Sequence, residues 1–480
     1  MTPAPDSQSP PSPSFDPGSF RDRTARVFYL DGAVCRGLNA DAWDEWQHVS
    51  SSSFFQRAMG QGSVVKTETA DDATLASASR SGEWTGVLRH QRLPFVSYPY
   101  EWSFGMLKDA ALLQLELMAA ALEEGFLLKD ATPYNVQWEG SRPVFIDVTS
   151  FVRWRPGEPW AGYRQFCQQF LYPLFLQAYK GVPFQPWLRG RLDGIEAAEC
   201  RRLMSLRDLL RPGVLTHVVA HSGLQHRYAA ATPKVKQELR QAGFHKSIIT
   251  ATIGRLRKLV RRLEWSPPAS TWSDYATCNS YDDESSRAKE AFIERIASSR
   301  ERGLVWDLGC NTGTFSKLVA RHAAHVVAID SDHASIEALY SELKAAGNRN
   351  ILPLVGDVAD LSPALGWRGV ERRAFTDRGR PDLVLCLALV HHLAITSNIP
   401  LADVVGWLSE SGAELVVEFP MPDDPMVQRL LHSRDQAYDD YSLASFESAL
   451  ATHFDVRERL LLPSRQRSLY WAVPKAASVS

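Results

Sequence analysis

Apolar positions follow two different periods along this chain. Between residues 106 and 125 the stretch MLKDAALLQLELMAAALEEG carries Leu112, Leu115, Met118, Ala119 and Leu122 near helical spacing, and Gly125 follows as a C-cap. Beyond residue 302 the pattern changes to short apolar runs of strand length separated by helical patterns. These are LVWDLG, a helix from Thr314, HVVAID, a helix from Ser335, NILPLVGD, DLVLCLALV, a helix from Leu401, and AELVVEF. Buried runs alternating with helices predict a doubly wound, mostly parallel α/β sheet covered on both faces. The closing pair, FDVRERLLL and RSLYWAV, predicts an antiparallel hairpin at the sheet edge.

A chain of 480 residues exceeds what one core serves, so two domains are expected. Residues 1–23 are rich in Pro and Ser and poor in large apolar groups, which predicts a disordered lead. Residues 24–265 read as a first globular domain. Near its end a basic segment sets Arg255, Arg257, Lys258, Arg261 and Arg262 around an apolar line of Ile253, Leu256, Val260 and Leu263. That pattern predicts an amphipathic helix packed at the domain junction, with a solvated basic face. Residues 266–271, opening on Ser266-Pro267-Pro268, form the expected linker, and residues 272–475 the second domain.

Composition narrows the functional classes. A hydrophobic fraction of 45% and a charged fraction of 22% belong to a globular protein, and a formal charge of -2 supplies no general attraction to nucleic acid or anionic membranes. The six cysteines are scattered without metal-ligand spacing, so reduced buried thiols are expected. With neither a signal-peptide pattern nor an apolar run of about 18 residues, the chain reads as cytoplasmic. Small-molecule partners are favoured over nucleic acid.

The most informative run is Val305-Trp306-Asp307-Leu308-Gly309-Cys310-Asn311-Thr312-Gly313, a strand entering a glycine-rich turn and then a helix. Gly309 and Gly313 let the backbone turn tightly and approach a ligand beyond the strand's carboxyl end. Asp330 ends the next strand, where a carboxylate can accept from both hydroxyls of a ribose. Gly356-Asp357-Val358 follows the third strand. In this order the three resemble the motifs of class I S-adenosylmethionine-dependent methyltransferases, whose fold is Rossmann-like. The resemblance implies cofactor contacts at Asp307, Gly309, Asn311, Gly313, Asp330, Asp357 and Val358, with Tyr281 from the preceding segment closing over the methionine moiety. His391 and His392, at the end of the fourth strand, are candidates for a base, and Glu418, ending AELVVEF, is a second candidate lining the acceptor pocket. The fourth strand lacks the Asn/Asp-Pro-Pro-Tyr motif of enzymes that methylate nucleic-acid amino groups.

The first domain carries its own constellation. Asp130 is followed five residues later by Asn135, and Asp147 ends the apolar run Val144-Phe145-Ile146. Order and spacing resemble the catalytic loop and metal-binding Asp of kinases, including the aminoglycoside and choline kinase group. The resemblance implies an α+β kinase-like domain binding ATP, with magnesium at Asn135 and Asp147. Leu128 replaces the usual His, and the Gly expected after the second Asp is replaced in Asp147-Val148-Thr149. Gly60-Gln61-Gly62 with Lys66 is a loose stand-in for the nucleotide loop and lysine.

Taken together with Ser97-Tyr98-Pro99-Tyr100-Glu101-Trp102 and Asp147-Val148-Thr149-Ser150-Phe151, these motifs resemble the NoeA-type methyltransferases, first named as nodulation host-specificity proteins. The resemblance implies methyl transfer to an O or N atom of a small molecule. The kinase-like domain would bind the acceptor or regulate access to it. The alternative is a bifunctional enzyme that also phosphorylates a metabolite, and the remaining one is a scaffold in which neither site turns over.

Overall fold

The computed structural model describes residues 13–78, 82–220, 245–267, 282–432, 438 and 440–475. The first part opens with strands β1 (Ser14–Phe15), β2 (Ala25–Leu30), β3 (Ala33–Leu38), β4 (Thr67–Thr69) and β5 (Gly86–His90), which form one antiparallel sheet in the order β1-β2-β3-β5-β4. Asp31 and Gly32, both at positive φ, join β2 to β3 as a two-residue hairpin. The predicted helix runs Phe104–Glu123, is started by the Ser103 side chain, and ends ahead of Gly125 at φ 86. Two small antiparallel pairs follow. Strand β6 (Phe126–Leu128) pairs with β9 (Phe151–Arg153), and β7 (Val136–Glu139) pairs with β8 (Arg142–Phe145).

One expectation is corrected at the start of the chain. Residues 13–23 fall in the lead expected to be disordered, yet β1 pairs with β2, and Phe15 meets Phe28 edge to face. Arg21 also grips Glu371 with two donors. These contacts supply the burial and pairing that local composition lacks.

The second part contains β10 (Arg302–Leu308), β11 (Ala323–Asp330), β12 (Ile351–Val355), β13 (Leu383–Cys386), β14 (Glu414–Pro420), β15 (Phe454–Leu461) and β16 (Arg467–Pro474). Their order is β12-β11-β10-β13-β14-β16-β15, with β10 to β14 mutually parallel and β16 antiparallel to both neighbours. This is the expected Rossmann-like sheet with its edge hairpin. Alternate residues go to opposite faces. Val305, Val326 and Leu385 pack with Ile293, Ile296 and Leu339, whereas Trp306, Val327 and Val384 belong to the core that also holds Leu401 and Val404. That second core is continuous with the core of the first part.

The seam between the two parts is built largely from residues 357–382, a long insertion between β12 and β13. Arg378 donates to both oxygens of Glu101 at 2.7 and 2.6 Å, with both side chains buried. Arg189 similarly holds Asp360 at 2.9 Å twice, Arg372 donates to the Tyr134 hydroxyl at 3.0 Å, and the Arg373 amide donates to Tyr98 Oη at 2.7 Å. The basic segment forms helix Lys246–Arg262, with Ile253, Leu256 and Val260 buried. Its Arg261 pairs with Glu116 of the long helix. The five cysteines among the described residues are free and buried; Cys278 lies outside them. No described helix is long and apolar enough to cross a membrane.

Candidate functional site

Four sequence motifs meet at the carboxyl edge of the parallel strands. After β10 the chain passes through Gly309, Asn311 and Gly313 at φ 74, 51 and 75 before helix Thr314–Val319 begins. Three left-handed residues within five turn the loop back on itself, and only Gly and Asn adopt that conformation at low cost. Space matters as well. A Cβ at Gly313 would lie 2.6 Å from Leu339, and one at Gly309 would lie 3.3 Å from Leu389.

Asp307, just before the loop, is buried and accepts from the Ser316 hydroxyl at 2.5 Å. Burial pushes its carboxyl up to about 6. Asp330 ends β11 and accepts one backbone N–H on each oxygen, from Asn311 and from Asp332, both at 2.8 Å. Each oxygen retains a further lone pair for a ligand hydroxyl. Asp357 follows β12, is exposed, and accepts from the Ala359 N–H at 2.9 Å; Val358 packs partly against the core. Since β12, β11 and β10 are neighbours, these groups line one edge in the order the motifs imply. Tyr281 lies outside the described residues.

Below this edge, β13 runs into Ala388 at φ 48, a non-glycine residue held in the left-handed region. His391 follows and is fully buried. Neither ring nitrogen has a hydrogen-bond partner among the described residues. Its ring lies 4.1 Å from that of His392. Burial drives the His391 imidazole well below its usual range and lowers His392 to about 4, with the charge of Arg467 acting in the same direction. Both rings are therefore neutral near pH 7.

Glu418 is fully buried and its two oxygens face two cations. Lys289 Nζ donates at 2.6 Å and Arg467 Nη1 at 3.3 Å. Arg467 also donates to Asp424 at 2.7 Å through Nε, and Lys289 lies over the Phe315 ring at 4.7 Å. With both oxygens engaged by cations, Glu418 stands as the anion that keeps two buried cations in place. Sequence reasoning missed Arg467 as a functional position. A lone Arg opening the strand run RSLYWAV was the available signal, since a cation there needs a buried partner.

In the first part, Asp130 and Asn135 share the loop between β6 and β7, and Asp147 lies between β8 and β9. Asn135 Nδ2 donates to Asp147 Oδ2 at 3.3 Å. Burial, with the charge of Asp147 acting in the same direction, raises the Asp130 carboxyl above its usual range. Arg36, from β3, pairs with Asp147 Oδ1 and donates to Thr149 Oγ1 at 2.7 Å. Thr149 Oγ1 itself donates to Asp147 Oδ1 at 2.9 Å. Both oxygens of Asp147 are thus occupied by donors from the protein. Nor does Asn135 turn a carbonyl oxygen toward Asp147, so this set does not fit magnesium as it stands. The Gly60-Gln61-Gly62 turn and Lys66 do not join this cleft; they line a separate groove with Arg142 and Arg349.

No family model matches the chain. Nodulation protein NoeA of Rhizobium meliloti (strain 1021) is 34% identical over 462 residues, covering 96% of this chain and 96% of that protein. An uncharacterized RNA methyltransferase of Nitratidesulfovibrio vulgaris (strain Hildenborough) is 36% identical over 69 residues, 14% of this chain and 15% of that one. Among solved structures, the N-methyltransferase NodS from Bradyrhizobium japonicum WM9 is 16% identical, with 40% of this chain and 99% of that chain aligned and a TM-score of 0.30.

Proposed function

We propose that this chain, which belongs to the family of nodulation protein NoeA, is an S-adenosylmethionine-dependent methyltransferase acting on an O or N atom of a small molecule. The observation that carries the reading is one shared edge. The Gly309–Gly313 loop, Asp330 and Asp357 stand at the carboxyl ends of three adjacent parallel strands, where a doubly wound sheet binds its ligand. When bound, the cofactor supplies an electrophilic methyl group on a sulfonium.

The residues then have separate tasks. Asp330 accepts from the ribose hydroxyls, Asp357 and Val358 border the adenine, and the Gly309, Asn311 and Gly313 backbone makes room for the methionine part. Asp307, beneath that loop, adds negative charge on the sulfonium side. His391 is neutral, and its unprotonated ring nitrogen, unspent like the other, can take the hydrogen bond of an acceptor O–H or N–H and orient that atom. We assign the base role to His391 before His392, and we assign Glu418 to charge balance.

The first domain, residues 24–265, is read as kinase-like. The pairing of β6 with β9 and of β7 with β8 supports this, because it brings the Asp130-to-Asn135 loop beside Asp147. Since Arg36 takes the carboxylate that a metal would need, the favoured role is acceptor binding rather than phosphate transfer from ATP.

Calorimetric titration of the full chain with S-adenosylmethionine and S-adenosylhomocysteine tests the main reading. Micromolar binding of both is expected, and no heat with either would overturn it. Comparing metabolites with and without the protein would then identify the acceptor.

A further inference from the structure

A third concavity belongs to neither cleft. It lies at the end of β8 opposite Asp147 and beside the amino end of β12, opposite Asp357. Its volume is about 460 Å³, within the range of small-ligand pockets, and Lys66, Arg142 and Arg349 share its wall with Gln61 and Gln91. No acidic residue lines it among the described residues.

The wall is built to hold those cations together. Gly62 stands at φ +71, and a Cβ there would lie 2.2 Å from Arg142 Nη1, so only glycine lets the guanidinium lie against the turn. Arg142 donates to the Gln61 carbonyl at 2.9 Å and pairs with Glu139 behind the wall. Glu139 also accepts from Gln91 at 2.8 Å, which uses up the nearest carboxylate. Across the seam, Ser141 donates from its hydroxyl to the Asn348 carbonyl at 2.8 Å, and a Cβ at Gly140 would lie 2.4 Å from the Arg349 backbone. Arg349 is thereby fixed beside β8. The side chains of Lys66 and Arg349 have no hydrogen-bond or ion-pair partner among the described residues. Converging cations with unused donors and no facing acid repel one another until an anion is supplied.

We propose that this groove binds a small molecule through a phosphate or similar oxyanion, with Lys66 and Arg349 making the direct contacts and Arg142 the rigid wall. A small ligand suits the feature better than a polymer. The cations are confined to one cavity, whereas a nucleic-acid surface carries an extended basic stripe, and the chain as a whole has a formal charge of -2. Because the site draws on both halves of the chain, its ligand would also brace them against each other.

The test is titration of the full chain with glucose 6-phosphate, inorganic phosphate and uncharged glucose at low salt. Lys66→Gln, Arg349→Gln and, as a charge control, Lys258→Gln on the basic helix are compared. All three positions are exposed, so folding is preserved; identical melting curves verify it. Expected results are binding of both phosphates but not of glucose, about tenfold weakening in each groove variant, a change under about twofold in the control, and weakening with added salt. Equal affinity in all variants, or no phosphate binding at millimolar concentration, overturns the proposal. So does tighter binding of a short single-stranded RNA that depends on Lys66 and Arg349, because the groove would then be a nucleic-acid contact.

Discussion

Asp307 with Asp330 in the second part of the chain, and Asp130 with Asp147 in the first, are both pairs of acids placed at strand ends, and in each pair burial, reinforced by the neighbouring charge, raises a carboxyl: Asp307 in the one and Asp130 in the other. They differ in where the opposing cations lie. Near Asp307 the cations Lys289 and Arg467 are already committed to Glu418 and Asp424, so the acid edge keeps unspent negative charge facing the loop. At Asp147 the cation is Arg36, bound directly to the carboxylate. A site that must receive a sulfonium gains from the first arrangement, and a site that must receive a metal is hindered by the second. The same residue type therefore predicts different chemistry according to which cation reaches it.

The largest expected effect tests that cation placement. Arg467→Met strips the buried Glu418 and Asp424 of their shared partner, and breaking a buried pair costs roughly 3 to 5 kcal/mol. Arg36→Met should cost less, about 1 to 3 kcal/mol, because Asp147 keeps some exposure to water, its side chain being 19% exposed, and still accepts from Thr149 and Asn135. Urea unfolding of both variants checks this. Equal losses would erase the contrast between the two sites.

Next in size is the loss of a ribose acceptor. Asp330→Ala should weaken S-adenosylmethionine by about a hundredfold, the equivalent of two hydrogen bonds to a charged group at roughly 1.5 kcal/mol each. Asp130→Ala should leave that affinity within about twofold, since no cofactor contact is assigned to it. Calorimetry on the two variants would sharpen the division of labour; a comparable loss from Asp130→Ala would place the cofactor in the wrong half.

Asp307 predicts a smaller effect that depends on pH. With its carboxyl raised to about 6, cofactor affinity should fall as pH drops through 6, approaching about tenfold per pH unit below it. Stability of the ligand-free protein moves the other way. The folded-state value lies above the unfolded 3.8, so the native state binds more protons between about pH 4 and 6 and gains stability as pH falls through that window. Asp307→Asn should raise ligand-free stability at pH 7 by up to about 3 kcal/mol while flattening the pH dependence of binding. A variant whose binding retains that pH dependence would show that another group titrates.

These effects follow the division between what was legible in the sequence and what was not. The seven strands of the second sheet and the helices after its first, second and fourth strands were readable, because each strand is an apolar run bounded by turn residues and the glycines fall where left-handed backbone is required. The acids at strand ends were readable for the same reason. The counter-cations were not. Lys289 is one basic residue in an amphipathic helix and Arg36 one residue in the alternating strand AVCRGL, and neither spacing indicates which acid the side chain will reach. The seam was also hidden, although the long segment between the third and fourth strands carries Arg368, Arg372, Arg373, Arg378 and Arg380. A loop of that length with so many arginines signals an interface. Its partners, Glu101, Tyr134 and Asp16, are remote in sequence, as is the contact that orders Arg21.

The smallest expected effect concerns metal at the first acid pair. With both Asp147 oxygens occupied by Arg36, Thr149 and Asn135, ATP plus magnesium should shift the melting temperature of the full chain by less than about 1 °C, as expected for a ligand well below its dissociation constant. Arg36→Ala removes a positive charge and leaves the Thr149 hydroxyl, which can rotate away, as the donor remaining on Oδ1 of Asp147. Mg²⁺ keeps most of its waters and asks for one or two carboxylates, so Asp147 with the nearby carboxyl of Asp130 becomes a weak site. A magnesium-dependent rise of about 1 to 2 °C at millimolar metal, from a stabilisation of about 1 to 2 kcal/mol, is the expected gain. Asp147→Asn in the same background should abolish it, which separates metal binding from a general salt effect. If the unaltered chain already binds ATP and magnesium at micromolar concentration, the arginine yields to the metal. The first part then joins the second as a working catalytic site, and the contrast between the two acid pairs fails.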